Sequence, residues 1–224
     1  MEYNDKEVKP LLLLYNIQKI VNNQNANIRF PFNSYKNDKW DIEHIRSIKS
    51  DKPLGKKQRD WLLNVLEYFS GITELNEEQA TAIEKLEEEE RELAVKIYSL
   101  ILEDKISDAD FTPLYEGLLS YFGEDQEPES INNISNLALL DATTNRSYKN
   151  AVFPVKRKTI IKKDKEGTFV PICTKNVFLK SYSSKVNNIM YWQEHDANDY
   201  LDAILDCLSI YLPTQILANA EAKQ

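Results

Sequence analysis

Two stretches of this 224-residue chain hold the residue types that acid–base and metal chemistry use. The first is Trp40-Asp41-Ile42-Glu43-His44-Ile45, which sets a carboxylate beside a histidine at the end of a short aromatic and β-branched run. Imidazole titrates near neutrality, and carboxylates bind hard cations or move protons. The pair alone is a weak signal, since such neighbours arise by chance and an isolated histidine after a carboxylate is more often structural. The second stretch comes much later. It runs from Asn136-Leu137-Ala138-Leu139-Leu140 through Asp141 to Asn145-Arg146, Lys149 and Asn150, and is followed by Phe153 and Lys156-Arg157-Lys158. Together the two stretches form a specific combination. Other chemistries fail on counting. Two Cys and two His, far apart, cannot build a zinc ribbon. No Gly-rich phosphate loop and no Gly-x-Ser-x-Gly occurs. Cys173 has no context marking a nucleophile and is expected to be a buried structural thiol. His195, in Trp192-Gln193-Glu194-His195-Asp196, is expected on the surface.

The elements that must position these residues follow from periodicity. Pro10 to Asn23 reads as a helix with Leu11, Leu14, Ile17, Ile20 and Val21 as its apolar stripe. Residues 39–45 read as a strand, with Trp40, Ile42 and His44 on one face and Asp41 and Glu43 on the other. Trp61, Leu62, Val65, Leu66 and Phe69 repeat at helical spacing and stop at Gly71. One long charged helix is expected over residues 76–104, turning Glu87 to Glu90 to water, and another from Thr112 to Phe122. Asn136 to Leu140 suits a short strand, residues 145–150 a turn or helix start, and Pro154 to Lys165 a basic helix ended by Gly167. Thr168 to Cys173 has strand character, with Pro171 confining it to an edge or a bend. Ala197 to Tyr211 is an amphipathic helix.

The composition is that of a globular chain: 42% hydrophobic residues, Gly 5 and Pro 8, with a formal net charge of -8. The longest apolar run, Leu11 to Leu14, is too short for a membrane span, and no signal peptide precedes it. Two cysteines suit a reducing cytoplasm. The charge is unevenly spread. Residues 66–130 hold 19 acidic and four basic residues, a net of -15. Residues 145–185 hold 11 basic and two acidic, a net of +9, and residues 29–60 a net of +4. Because exposed charge is screened within about 8 Å at physiological salt, the acidic total does not exclude a nucleic-acid partner.

The two stretches resemble the HNH (His-Asn-His) endonucleases of the ββα-metal fold, in the branch found in the C-terminal half of GmrSD-like, modification-dependent restriction enzymes. The matching residues are Glu43-His44-Ile45, Asn136 to Leu140, Asn145 with Asn150, and Phe153 with Lys156-Arg157. Residues 169–180 with Trp192, Asp196 and Tyr200 look like the C-terminal part of those proteins. The resemblance implies that His44 is the general base and that Glu43 and Asn145 give oxygens to one divalent ion, Mg²⁺ or Mn²⁺. It further implies that Asn136 orients the imidazole or braces the hairpin, and that Arg146, Lys149, Asn150, Lys156, Arg157 and Lys158 bind nucleic acid. The last family position is Asn145 rather than His, and the first ligand is Glu43 rather than Asp; Asp41 or Asp141 stands close enough in sequence to replace a ligand.

The expected fold is therefore α+β and helix-dominated. A small ββα-metal core, a two-stranded hairpin plus helix, occupies residues 36–60 and 131–166. Residues 1–35 form an N-terminal helix and connector, 61–130 an acidic helical insertion, and 167–224 a C-terminal strand and helix packing on the core. The expected function is a metal-dependent DNA endonuclease, the nuclease domain or subunit of a cytoplasmic restriction and phage-defence system acting on modified or phage DNA. Its partner is an N-terminal domain or subunit with nucleotide-linked sensing, and no membrane is involved. The alternative is a non-catalytic nucleic-acid-binding or interaction module on the same fold; an RNA-directed nuclease is a third reading that the residues do not separate from the first.

Overall fold

A computed structural model describes residues 1–23, 25, 27–148, 150–185 and 188–212. The described chain is helix-dominated α+β with one two-stranded antiparallel sheet, and it divides into two compact units. Met1–Ile45, Glu129–Asn145 and the described residues from Ile160 onward form the first; Arg46–Pro128 and the described part of Arg146–Thr159 form the second. Residues 46–60 and 146–159 thus belong with the acidic helices, in a unit larger than the 61–130 segment. Among the described residues, no helix is long and apolar enough to cross a membrane.

The first unit is organised on the sheet. Strands β1 (Trp40–His44) and β2 (Leu137–Asp141) pair in the register Trp40 opposite Asp141 through His44 opposite Leu137. Every β2 residue is buried, with Leu137, Leu139 and Leu140 fully so, which means both faces of that strand are covered. Among the described residues no third strand meets its other edge. Instead Leu139 O accepts from Thr174 Oγ1 at 2.5 Å and Leu137 O accepts from the Tyr200 hydroxyl at 3.1 Å. Helix α1 (Val8–Val21) begins with Pro10 in its first turn, where the missing N–H would be unsatisfied anyway, and buries Val8, Leu12 and Tyr15; the expected stripe of Leu11, Leu14, Ile17, Ile20 and Val21 is not its buried face, and Val21 is exposed. Its buried Asn16 spans two elements: Nδ2 donates to Leu12 O at 2.8 Å, and Oδ1 accepts from Cys173 N at 2.8 Å.

In the second unit, helix α2 (Lys56–Ser70) presents Trp61, Leu62, Val65 and Leu66 to the core. It ends where Gly71 takes a left-handed conformation (φ 77°) and donates its N–H to Glu67 O. The expected helix over residues 76–104 is two helices, α3 (Glu77–Glu84) and α4 (Glu88–Leu102), separated at Lys85–Glu87. The physical reason lies in the glutamates. Placed mid-helix they would repel one another, whereas Glu88, Glu89 and Glu90 in the first turn of α4 meet the positive end of its dipole. Helix α5 (Asp108–Tyr121) is capped by Ser107, whose side chain accepts from Asp110 N, and it buries Phe111, Tyr115, Leu118 and Leu119.

Four further helices follow in the chain. Helix α6 (Ala142–Tyr148) follows β2 without a loop, and α7 (Phe153–Lys165) follows it. The expected strand over residues 168–173 is absent: Pro171 caps α8 (Ile172–Phe178), so its fixed φ starts a helix instead of bending an edge strand. Helix α9 (Glu194–Leu208) opens with a capping box made by Gln193 and Asp196. Asp196 is fully buried and pairs with Lys180 Nζ at 2.9 Å; that ammonium also donates to Asn188 O and Tyr191 O.

Asn16→Ala strands the buried Cys173 N–H and is expected to lower stability by about 1–3 kcal/mol, read as a shift of the urea unfolding midpoint. Replacement of the neighbouring exposed Val21 by Ala should change it by less than about 0.5 kcal/mol.

Candidate functional site

His44 ends β1, half-buried, and three neighbours define its setting. Its Nε2 lies 3.1 Å from Asn132 Oδ1, and its ring packs on Tyr3 with centroids 4.4 Å apart. An amide oxygen accepts, so in this hydrogen bond Nε2 is the donor. Asn136 braces the turn that carries Asn132. Its buried Nδ2 donates to Ile131 O at 2.8 Å, while its backbone carbonyl accepts from Ile45 N at 2.8 Å, extending the strand pairing past His44. Glu43 stands beside His44 and is only 6% exposed, so the face of β1 opposite Trp40 is not a solvent face. Strand register therefore gathers Glu43, His44 and Asn136 at one end of the hairpin.

Asn145 comes in from the other end. It lies in the first turn of α6, directly after Asp141, whose strand partner is Trp40. Asp141 starts that helix by accepting from Thr143 N and Thr144 N through Oδ1, at 3.1 and 2.8 Å. Its Oδ2 is buried with no hydrogen-bond partner. Asp41 is half-buried, opposite Leu140. Among the described residues, no group of three or more His, Cys, Asp or Glu is arranged to hold a metal ion. The donors expected at the two ends are a carboxylate at Glu43 and an amide oxygen at Asn145. Such an all-oxygen set suits a hard divalent cation that keeps several of its waters, and does not suit a soft, closed site.

The expected nucleic-acid-binding residues have different fates. Arg146 is exposed, and Lys149 lies outside the described residues. Asn150 is a structural tie: Nδ2 donates to Asp51 O at 2.7 Å and its own carbonyl accepts from Trp61 Nε1 at 3.0 Å. Lys158 Nζ donates to Glu67 O at 2.6 Å, and Arg157 is half-buried with its Nε out of contact with solvent. Lys156 is 2% exposed and acts on a buried carboxylate, Glu124. That carboxylate accepts from Ser47 N, from Ser47 Oγ and, at 2.7 Å, from Phe153 N. Burial pushes the Glu124 carboxyl above its ordinary range, and the Ser47 and Phe153 hydrogen bonds with the charges of Lys156 and Arg46 pull it back.

His195 is 37% exposed, with Nε2 3.4 Å from Asp196 Oδ1 and 3.3 Å from Lys185 O. Cys173 is buried among Tyr15, Tyr182 and Tyr200, and burial raises its thiol to about 12, far from a reactive thiolate. Asn132 and Tyr3 are absent from the motif; the only sequence hint of either is the Asn132-Asn133 pair just ahead of Asn136. No family model, no curated protein and no solved structure matches the chain.

Lys156→Met removes one of the two positive charges, with Arg46, that offset the burial of Glu124 and is expected to cost about 1–3 kcal/mol of stability, measured by urea unfolding; Arg146→Ala should stay within about 0.5 kcal/mol. The pH dependence has a definite sign. A carboxyl whose folded value is raised contributes most stability in acid, and loses that contribution as pH climbs through the raised value. Glu124→Gln should therefore gain on the wild type as pH rises above the ordinary carboxyl range. A gap that is flat with pH, or that widens in favour of the wild type, contradicts this assignment.

Proposed function

We propose that the chain is a divalent-metal-dependent DNA endonuclease of the HNH type, the catalytic part of a restriction or phage-defence system. The observation that carries this reading is the order of elements around the motif: a strand ending in Glu43-His44, a second strand entered from Asn136, and a helix carrying Asn145. That order is the one a ββα-metal core requires, and the sequence resemblance rests on the same residues.

In this reading the chain's own groups divide the work. His44, held through Nε2 by Asn132, takes the proton from the attacking water; a neutral imidazole does this near pH 7. Tyr3 covers one face of the ring and limits its rotation. Asn136 acts as a brace, because its side chain fixes the turn from which Asn132 reaches the imidazole. Glu43 and Asn145 would hold one Mg²⁺ or Mn²⁺, and such an ion, when bound, stabilises negative charge on the phosphate and the leaving 3′ oxygen. Arg146, next in sequence to Asn145 and exposed, supplies phosphate-binding charge. Choice of modified or phage DNA falls to a sensing domain or subunit. A second reading, a nucleic-acid-binding module without catalysis, draws on one observation: the last family position holds Asn145 in place of His.

The test incubates the protein with plasmid, modified phage DNA and RNA in Mg²⁺ or Mn²⁺. Wild-type protein should nick or cut DNA, with His44→Ala reducing the rate by about 10²–10⁴ and Asn132→Ala reducing it less. Cleavage that survives His44→Ala removes the base assignment. Retention of DNA with no cleavage under either metal establishes the non-catalytic reading, and cleavage confined to RNA reassigns the substrate.

A further inference from the structure

The second unit carries a feature that the nuclease reading leaves unused. Helices α4 and α5 enclose an open groove of about 610 Å³, with Leu93, Val95, Pro113 and Leu114 among its lining residues. Helix α4 has more apolar surface than its core contact consumes. Ala94, Ile97 and Ile101 are buried, yet Val95 is 50% and Leu102 61% exposed. Val95 and Leu102 stand seven residues apart, so the two exposed apolar residues share one helix face, and Val95 lines the groove. Gly117 of α5 also lines the groove, and a Cβ built there meets nothing within 4 Å.

Charge narrows the occupant. Residues 88–121 hold nine acidic and three basic residues, a net of -6, and Glu103 and Asp110 belong to the groove lining itself. In the lining two carboxylates outnumber the one ammonium, Lys96, which disfavours a phosphate-bearing ligand. A small polar ligand needs convergent donors or acceptors, and here seven of the eleven lining residues are apolar or glycine. A mainly apolar lining with an excess of carboxylate instead matches a helix that is apolar on one face and basic at its margins. The 15 residues of α4 extend about 22 Å, enough to seat i, i+3, i+4 and i+7 anchors.

We propose that the α4–α5 groove is the docking site for a basic amphipathic helix of a partner protein. The apolar anchors lie against Leu93, Val95, Pro113 and Leu114, and flanking Lys or Arg residues face Glu103 and Asp110. Lys96, which also lines the groove, fixes polarity by accepting an acidic residue at one end of the partner helix. This inference stands apart from the nuclease reading, because none of its residues belongs to the hairpin.

The test titrates the full chain against a labelled helical Leu–Lys peptide, with Ser–Lys and Leu–Glu peptides of the same length as controls. Gly117→Trp fills the groove, and replacing a mid-helix glycine raises helix propensity instead of breaking the fold. Glu103→Lys reverses the rim charge and avoids Asp110, which the Ser107 cap requires. Each is expected to weaken Leu–Lys binding by roughly tenfold or more while Gly117→Ala leaves it near wild type. Unchanged affinity in both Gly117→Trp and Glu103→Lys overturns the proposal, as does equal binding of the Ser–Lys peptide, which would be unspecific charge attraction. A concentration-dependent dimer that Gly117→Trp abolishes, with no peptide binding, also overturns it by giving the groove to a second copy.

Discussion

The first unit depends on satisfying the far edge of one buried strand. A two-stranded sheet is marginal on its own, and β2 is sealed on both faces, so an unpaired carbonyl along its outer edge would have neither strand nor water to meet it. Two hydroxyls take the place of a third strand. Thr174 reaches Leu139 O and Tyr200 reaches Leu137 O, which ties α8 and α9 to the hairpin. Tyr200 is well suited to this: its complete burial drives its ionisation far above the ordinary phenol range, so the hydroxyl keeps the proton it donates. Asn16 adds the third tie, from α1 to the start of α8. His44 sits at the end of the strand that this network holds, so its position is set by helices distant in sequence.

That distance explains what the sequence revealed and what it concealed. Local periodicity located α2, α5 and α9 and both strands, because each buries a face whose spacing shows in the chain; it located α1 but chose the wrong face of it, since four consecutive leucines leave the phase of the stripe undetermined. It misread residues 168–173, where β-branched and aromatic residues pointed to a strand, although Pro171 is better used as a helix cap. It also merged α3 and α4, since an apolar stripe continues through the break and only the cost of four adjacent glutamates mid-helix marks the boundary. The Glu43, His44 and Asn136 end of the candidate site was legible from a motif plus strand register. The partners of the imidazole were not: Asn132 lies 88 positions away, and no periodicity connects it to β1.

Charge was the least legible property, because a sequence counts ions without saying which are in water. Lys156 reads as one more cation in a basic run, yet residues 151–156 are all buried and its ammonium opposes the penalty of burying Glu124. Glu124 in turn reads as one of 19 acids in the acidic stretch, while it is the one whose oxygens join Ser47 to the first residue of α7. Each has the composition of a surface residue and the job of a core residue. A buried cation cannot release DNA counterions, so Lys156 cannot add to the salt dependence of any DNA complex.

The acidic region therefore has two separable roles. One carboxylate, at Glu124, is internal and positions the start of a basic helix. The acids of α4 and α5 remain at the surface, and the glutamates at the start of α4 are spent on its dipole, while Glu103 and Asp110 border an apolar groove. A solvated face alone would need no apolar stripe beside it, and a core face alone would need no acids. Their adjacency on one unit is what distinguishes a recognition surface from a merely soluble one, and it lets a chain of net charge -8 keep the charge that repels DNA on different residues from those that would approach it.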